Sequence, residues 1–116
     1  MYKWYPKEGP VTALTTASFQ AFVETHARVF IHFAAAWNGY DRMLVVKVID
    51  QAVALQNKVW FASVDIDAKE NFDLCVEHRV TNVPFIAIYT NGKLQESGAG
   101  YDYATNQLVR LTQKTH

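Results

Sequence analysis

Phe33-Ala34-Ala35-Ala36-Trp37-Asn38-Gly39-Tyr40-Asp41 joins the end of one sequence pattern to the start of another. The residues leading into it, Arg28-Val29-Phe30-Ile31-His32-Phe33-Ala34-Ala35, are an almost unbroken β-prone run. That is the pattern of a strand covered on both faces, and it predicts the core of a sheet. From Gly39 or Tyr40 onward, Met43, Leu44, Val48, Ile49, Ala52, Val53 and Leu55 recur at helical spacing to about Gln56, where Asn57-Lys58 breaks the pattern. A buried strand therefore enters a tight polar turn and leaves it as a long helix.

Upstream, Met1 to Pro10 is aromatic, charged and carries Pro6 and Pro10, which restrict the backbone. Residues 1–10 read as an N-terminal arm, with Trp4 and Tyr5 on the edge of a single domain over 11–116. Val11 to Leu14 predicts a short strand, and Thr15 or Thr16 caps a helix carrying Phe19, Phe22 and Val23 that ends near His26. Downstream, Val59 to Asp65 is the next buried strand. Asp67 or a neighbour caps a helix containing Phe72, Leu74, Cys75 and His78 that stops before Val80-Thr81-Asn82-Val83-Pro84. Phe85 to Thr90 and Lys93 to Ser97 flank Asn91-Gly92, the strongest hairpin signal in the chain. Gly98 and Gly100 precede a closing helix from about Tyr103 to Gln113, with Leu108 and Leu111 facing inward. The order βαβαβαββα predicts an α/β fold, a central mixed β-sheet with helices on both faces.

Composition narrows the partners. With 116 residues, half of them hydrophobic, the chain can bury one continuous core without a second domain. Eleven basic and eleven acidic residues cancel and are scattered, so no positive field exists to hold nucleic acid or an anionic membrane. The first residues lack the apolar core of a signal peptide, and no apolar run approaches spanning length, so a soluble, cytoplasmic protein is expected. The single cysteine, Cys75, cannot close an intramolecular disulfide or furnish a thiolate zinc site. No metal and no cofactor is expected, and the chain is expected to be a monomer.

Phe33, Ala36-Trp37-x-Gly39, Val64-Asp65-x-Asp67, Val83-Pro84, Asn91-Gly92-Lys93 and Gly100 together resemble the thioredoxin family over roughly Val11 to Lys114. The resemblance implies the thioredoxin-like fold. It also sets Asn38-Gly39-Tyr40-Asp41 at the position of the family's Cys-Gly-Pro-Cys motif, with Asn38 at the attacking cysteine and Asp41 at the resolving one. Thiol exchange needs a thiolate, which neither an amide nor a carboxylate can supply, so dithiol chemistry at this turn is excluded. The family's buried aspartate and its lysine partner align with His32 and Ser63, so the proton-handling positions differ as well.

What remains is a shape. The resemblance makes Pro84 a cis-proline opposite the turn, leaving the Val83 backbone open to an extended peptide, and Trp37, Tyr40, Val83, Pro84 and Gly100 the border of a peptide-binding groove. Two orientations of Trp37 are open, packed inward or exposed beside Tyr40. Asn38 and Asp41 are expected to cap the following helix, with an acid–base pair of Asp41 and His32 as the less favoured alternative. His32 is expected as a neutral core histidine bonded to a neighbour, Cys75 as a small buried hydrophobe, and Asp65 and Asp67 as solvated or capping carboxylates. Three functions follow: a non-redox, co-chaperone-like module for an unidentified protein or peptide, a redox or stress protein acting through Cys75, and a structural domain without a ligand.

Overall fold

The computed structural model describes residues 5–115. Among the described residues, five strands and four helices follow in the order β1 Val11–Leu14, α1 Thr16–Thr25, β2 Arg28–Ala34, α2 Gly39–Ala54, β3 Trp60–Asp65, α3 Phe72–Glu77, β4 Phe85–Thr90, β5 Lys93–Ala99 and α4 Tyr101–Thr115. The strands form one sheet in the order β1-β3-β2-β4-β5. β1, β3 and β2 run parallel, and β4 and β5 are antiparallel additions. The mixed sheet expected from the sequence is thus observed, with β2 at its centre, flanked by β3 and β4.

The alternation of side chains along β2 divides the core in two. Val29, Ile31 and Phe33 join Phe19 and Val23 of α1 and Leu74 of α3 on one face. Phe30 joins Leu44, Val45 and Val48 of α2 and Ala104, Leu108 and Leu111 of α4 on the other. Side chains two residues apart share a face of a strand, which is why one continuous apolar run serves both layers. Leu108 and Leu111 face inward as expected.

Several boundaries and faces differ from the sequence reading. Met43 and Val53 sit within the helical pattern of α2 but face outward, because its buried side is carried by Leu44, Val45, Val48 and Ala52. Asp67 does not cap α3. Its N–H donates to Asp65 Oδ1 at 2.9 Å, and a short 3-10 turn over Lys69–Asn71 leads into the helix. β5 continues to Ala99, and α4 begins at Tyr101 rather than Tyr103. Asn91 and Gly92 both have positive φ, 53° and 80°, as a two-residue hairpin turn requires. The register shifts between Ile88 and Tyr89, so Gln95 is an extra residue on β5.

One residue of the arm, Tyr5, reaches the core. Tyr5 was expected on the edge of the domain but is buried in the α2–α4 core beside Val11, Phe30 and Leu44, because its hydroxyl has a partner there. Trp4 lies outside the described residues.

Candidate functional site

The turn between β2 and α2 has a buried side and an exposed side. On the buried side, His32 of β2 and Asp41 of α2 have no solvent exposure. His32 Nε2 lies 2.7 Å from Asp41 Oδ1, and the Ala35 N–H donates to Asp41 Oδ2 at 3.0 Å. A carboxylate only accepts, so Nε2 carries a proton and donates to Asp41. On the other side of the ring, Nδ1 is hydrogen-bonded to the Tyr5 hydroxyl at 2.7 Å. Every polar atom of the pair is thereby partnered, which burial of a charge demands.

This arrangement corrects the expectation for Asp41. Its carboxylate does not cap α2 but turns under the helix toward His32. Asn38 alone supplies the cap, its Oδ1 accepting from the Asp41 N–H at 2.9 Å. The division has a simple cause: the cap position faces the free N–H groups outside the first turn, whereas a residue three positions later can face the core.

On the exposed side, Trp37 keeps 69% and Tyr40 60% of its surface in solvent, which decides between the two orientations of Trp37. They do not share one surface. Trp37 and Asn38 line a cleft of about 320 Å³ with Ile66 and the loop of Val80, Thr81, Asn82 and Val83. Tyr40 lies against Tyr101 at the start of α4, the rings 5.9 Å apart. The Val83–Pro84 bond is cis. Pro84 is buried, and its carbonyl accepts from the Gly100 N–H at 2.8 Å. Gly100, at φ 109°, connects β5 to α4 and lies outside the cleft lining. Among the described residues, Val83 makes no backbone hydrogen bond, so its amide and carbonyl are available at the cleft.

Cys75 is half-buried rather than fully buried. Burial first, then the charges of Asp65 and Asp67, push its thiol above the ordinary range. Among the described residues, no three His, Cys, Asp or Glu side chains converge as metal ligands, and no helix is long and apolar enough to cross a membrane.

The family profile of thioredoxin matches residues 10–114. The chain belongs to the thioredoxin family. It is 30% identical over 92 residues to a protein disulfide-isomerase of Saccharomyces cerevisiae, 79% of this chain and 17% of the relative. A thioredoxin of Alicyclobacillus acidocaldarius is 28% identical over 88 residues, covering 76% of this chain and 82% of that one. The chain therefore spans less than a quarter of the disulfide-isomerases it matches and most of the length of a thioredoxin. Among solved structures, spinach chloroplast thioredoxin F superposes with a TM-score of 0.79 at 22% identity, covering 92% of this chain and 94% of that one. A cysteine-to-serine mutant of an Entamoeba histolytica thioredoxin gives 0.75 at 25% identity, with coverage of 87% and 98%.

Within this thioredoxin-family domain, sequence reasoning reached Trp37, Asn38 and Val83 but missed Ile66, Val80, Thr81 and Asn82 as neighbours in the cleft. Ile66 carried a signal, an apolar residue just past the end of a parallel strand, where such sheets open their crevices. Tyr5 carried none, being 27 residues from His32 in a proline-punctuated arm.

Proposed function

We propose that this chain is a polypeptide-binding thioredoxin-family domain that works without dithiol exchange, with an extended segment lying along the cleft between Trp37 and Val83. The observation that carries the reading is the unpaired Val83 backbone beside an aromatic ring of high exposure. Open backbone groups supply strand-like hydrogen bonds to any sequence, and an exposed indole supplies apolar contact at low entropic cost. The names of the relatives, protein disulfide-isomerase and thioredoxin, support a polypeptide ligand. The residues at the turn oppose their chemistry, since Asn38 and Asp41 hold no sulfur. Tyr40, which lies against Tyr101, and Gly100 fall outside this cleft and are not part of the proposed site.

Binding of a fluorescently labelled, alkylated and unfolded polypeptide tests this. Trp37→Ala is expected to weaken binding by ~10-fold or more, as loss of an exposed aromatic anchor does, while the melting temperature stays unchanged. Equal binding by the variant would remove the cleft from consideration. Reduction of a disulfide substrate by the purified protein, undiminished in Cys75→Ser, would overturn the non-redox half. The alternative that routes redox chemistry through Cys75 is disfavoured by its raised thiol pKa, because the thiolate is the reactive form.

A further inference from the structure

Trp37 lines the cleft with a ring that nothing polar or aromatic holds in place. Among the described residues its indole has no hydrogen bond and no ring partner, so its direction is set by the backbone of the turn. That turn is closed by the Asn38 N–H donating to the Ala35 carbonyl at 3.1 Å, with Trp37 between them. Asp41 fixes both ends of it. Its Oδ2 accepts from the Ala35 N–H at 3.0 Å, and its own N–H donates to Asn38 Oδ1 at 2.9 Å.

Asp41 is itself placed from below. A first-turn carboxylate is free to face solvent, and what draws this one under the helix is His32 Nε2, 2.7 Å from Oδ1. The buried ring keeps that direction only while its other nitrogen is also occupied, because a buried polar atom without a partner has lost its water for nothing. Tyr5 fills that place, 2.7 Å from Nδ1 and edge-on to the ring at 84°. The partner of one imidazole nitrogen thus sets what the other nitrogen can reach. The route from the arm to the rim of the cleft is Tyr5, His32, Asp41 and the turn from Ala35 to Asn38, each link a hydrogen bond. Among residues 5–10, Tyr5 alone is buried, so the arm meets the core through this one side chain.

We propose that Tyr5 is a positioning residue for the cleft: its hydroxyl fixes the direction of the Trp37 indole through His32 and Asp41, and the arm thereby governs the affinity for an extended polypeptide. The ligand in this statement rests on the polypeptide reading of the cleft; the link between arm and turn does not.

The test compares, in the full chain, Tyr5→Phe with Thr112→Val, which removes a hydroxyl bonded to Gln51 Oε1 toward the other end of α2. Melting temperatures report the loss of stability in each. Binding of the labelled, alkylated and unfolded polypeptide is expected to weaken by ~5-fold in Tyr5→Phe, the factor that one ordinary hydrogen bond is worth, and to stay unchanged in Thr112→Val. In two-dimensional proton–nitrogen NMR of the free protein, the Ala35 amide and the Trp37 indole, identified by its loss in Trp37→Ala, are expected to shift or broaden in Tyr5→Phe and not in Thr112→Val. Because Tyr5 acts through the indole, Tyr5→Phe should weaken binding no further in the Trp37→Ala background. Undiminished binding by Tyr5→Phe, an equal loss in Thr112→Val, or a further loss on top of Trp37→Ala would overturn the proposal. If the wild-type chain binds no polypeptide, the polypeptide reading falls; moved Ala35 and Trp37 resonances in Tyr5→Phe would still support the positioning role, and unmoved ones would overturn it.

Discussion

Two buried histidines lie on opposite faces of the sheet and are bonded alike, each with one ring nitrogen to a tyrosine hydroxyl and the other to an oxygen acceptor. His32 takes Tyr5 at 2.7 Å and the Asp41 carboxylate at 2.7 Å. His78 takes Tyr89 at 2.6 Å and the Leu74 carbonyl at 2.9 Å. Burial and then the nearby Glu77 raise the Tyr89 phenol above its ordinary pKa, so it keeps its proton. The difference lies in reach and charge. The acceptor of His78 is one helical turn away and also accepts the His78 backbone N–H, so that histidine finishes a local helix end. The acceptor of His32 belongs to another element and carries a charge, so that histidine ties β2, α2 and the arm into one unit beneath the turn.

The comparison predicts unequal costs. His32→Leu strands the Asp41 carboxylate in the core and should cost about 3–5 kcal/mol in urea unfolding, the range for breaking a buried pair. Adding Asp41→Leu should cost less than the sum of the two single changes, because the stranded charge goes with it. A purely additive result would mean that the pair is not coupled. His78→Leu should cost less, about 1–2 kcal/mol, since the Leu74 carbonyl keeps a backbone donor and half-buried Tyr89 can reach water. If His78→Leu proved as costly as His32→Leu, charge would not be what separates the two sites.

Smaller changes refine the contrast. Tyr5→Phe and Tyr89→Phe each remove one hydroxyl, with an expected cost of about 1 kcal/mol. Tyr5→Phe should be the larger, because its histidine is the more deeply buried. Beside His78, Cys75 gives a readout that leaves stability aside. Its thiol holds a proton to higher pH in the folded state than in the unfolded one, so the thiolate fraction at a given pH is lower when folded. Iodoacetamide labelling of the native protein should be slower than of the urea-unfolded chain, with its rise displaced to higher pH. The same linkage makes the fold lose stability as pH climbs through the unfolded thiol's pKa. Native labelling as fast as unfolded labelling would return Cys75 to the list of reactive thiols.

The fold was legible because its signals are local. A continuous apolar run for β2, Asn91-Gly92 for the hairpin and the order of elements each depend on neighbouring residues. The turn was legible in part. Asn38 as cap follows from its place before a helix, and exclusion of thiol exchange follows from residue chemistry. The pairing of Asp41 with His32 was open only as an alternative to capping, because helical spacing leaves a first-turn residue free to face solvent or core, and the choice is made by His32 across the interface. Tyr5 was illegible for the same reason, its position being set by a ring nitrogen on a central strand.

Tyr5 bears on how this domain is to be cut from its surroundings. The family match begins at residue 10, five positions after the tyrosine that completes the His32 network. A fragment trimmed to the family boundary would keep every strand and helix and still lack the hydroxyl that closes the buried circuit. In any chimera or truncation series, the working boundary of this domain lies ahead of Tyr5.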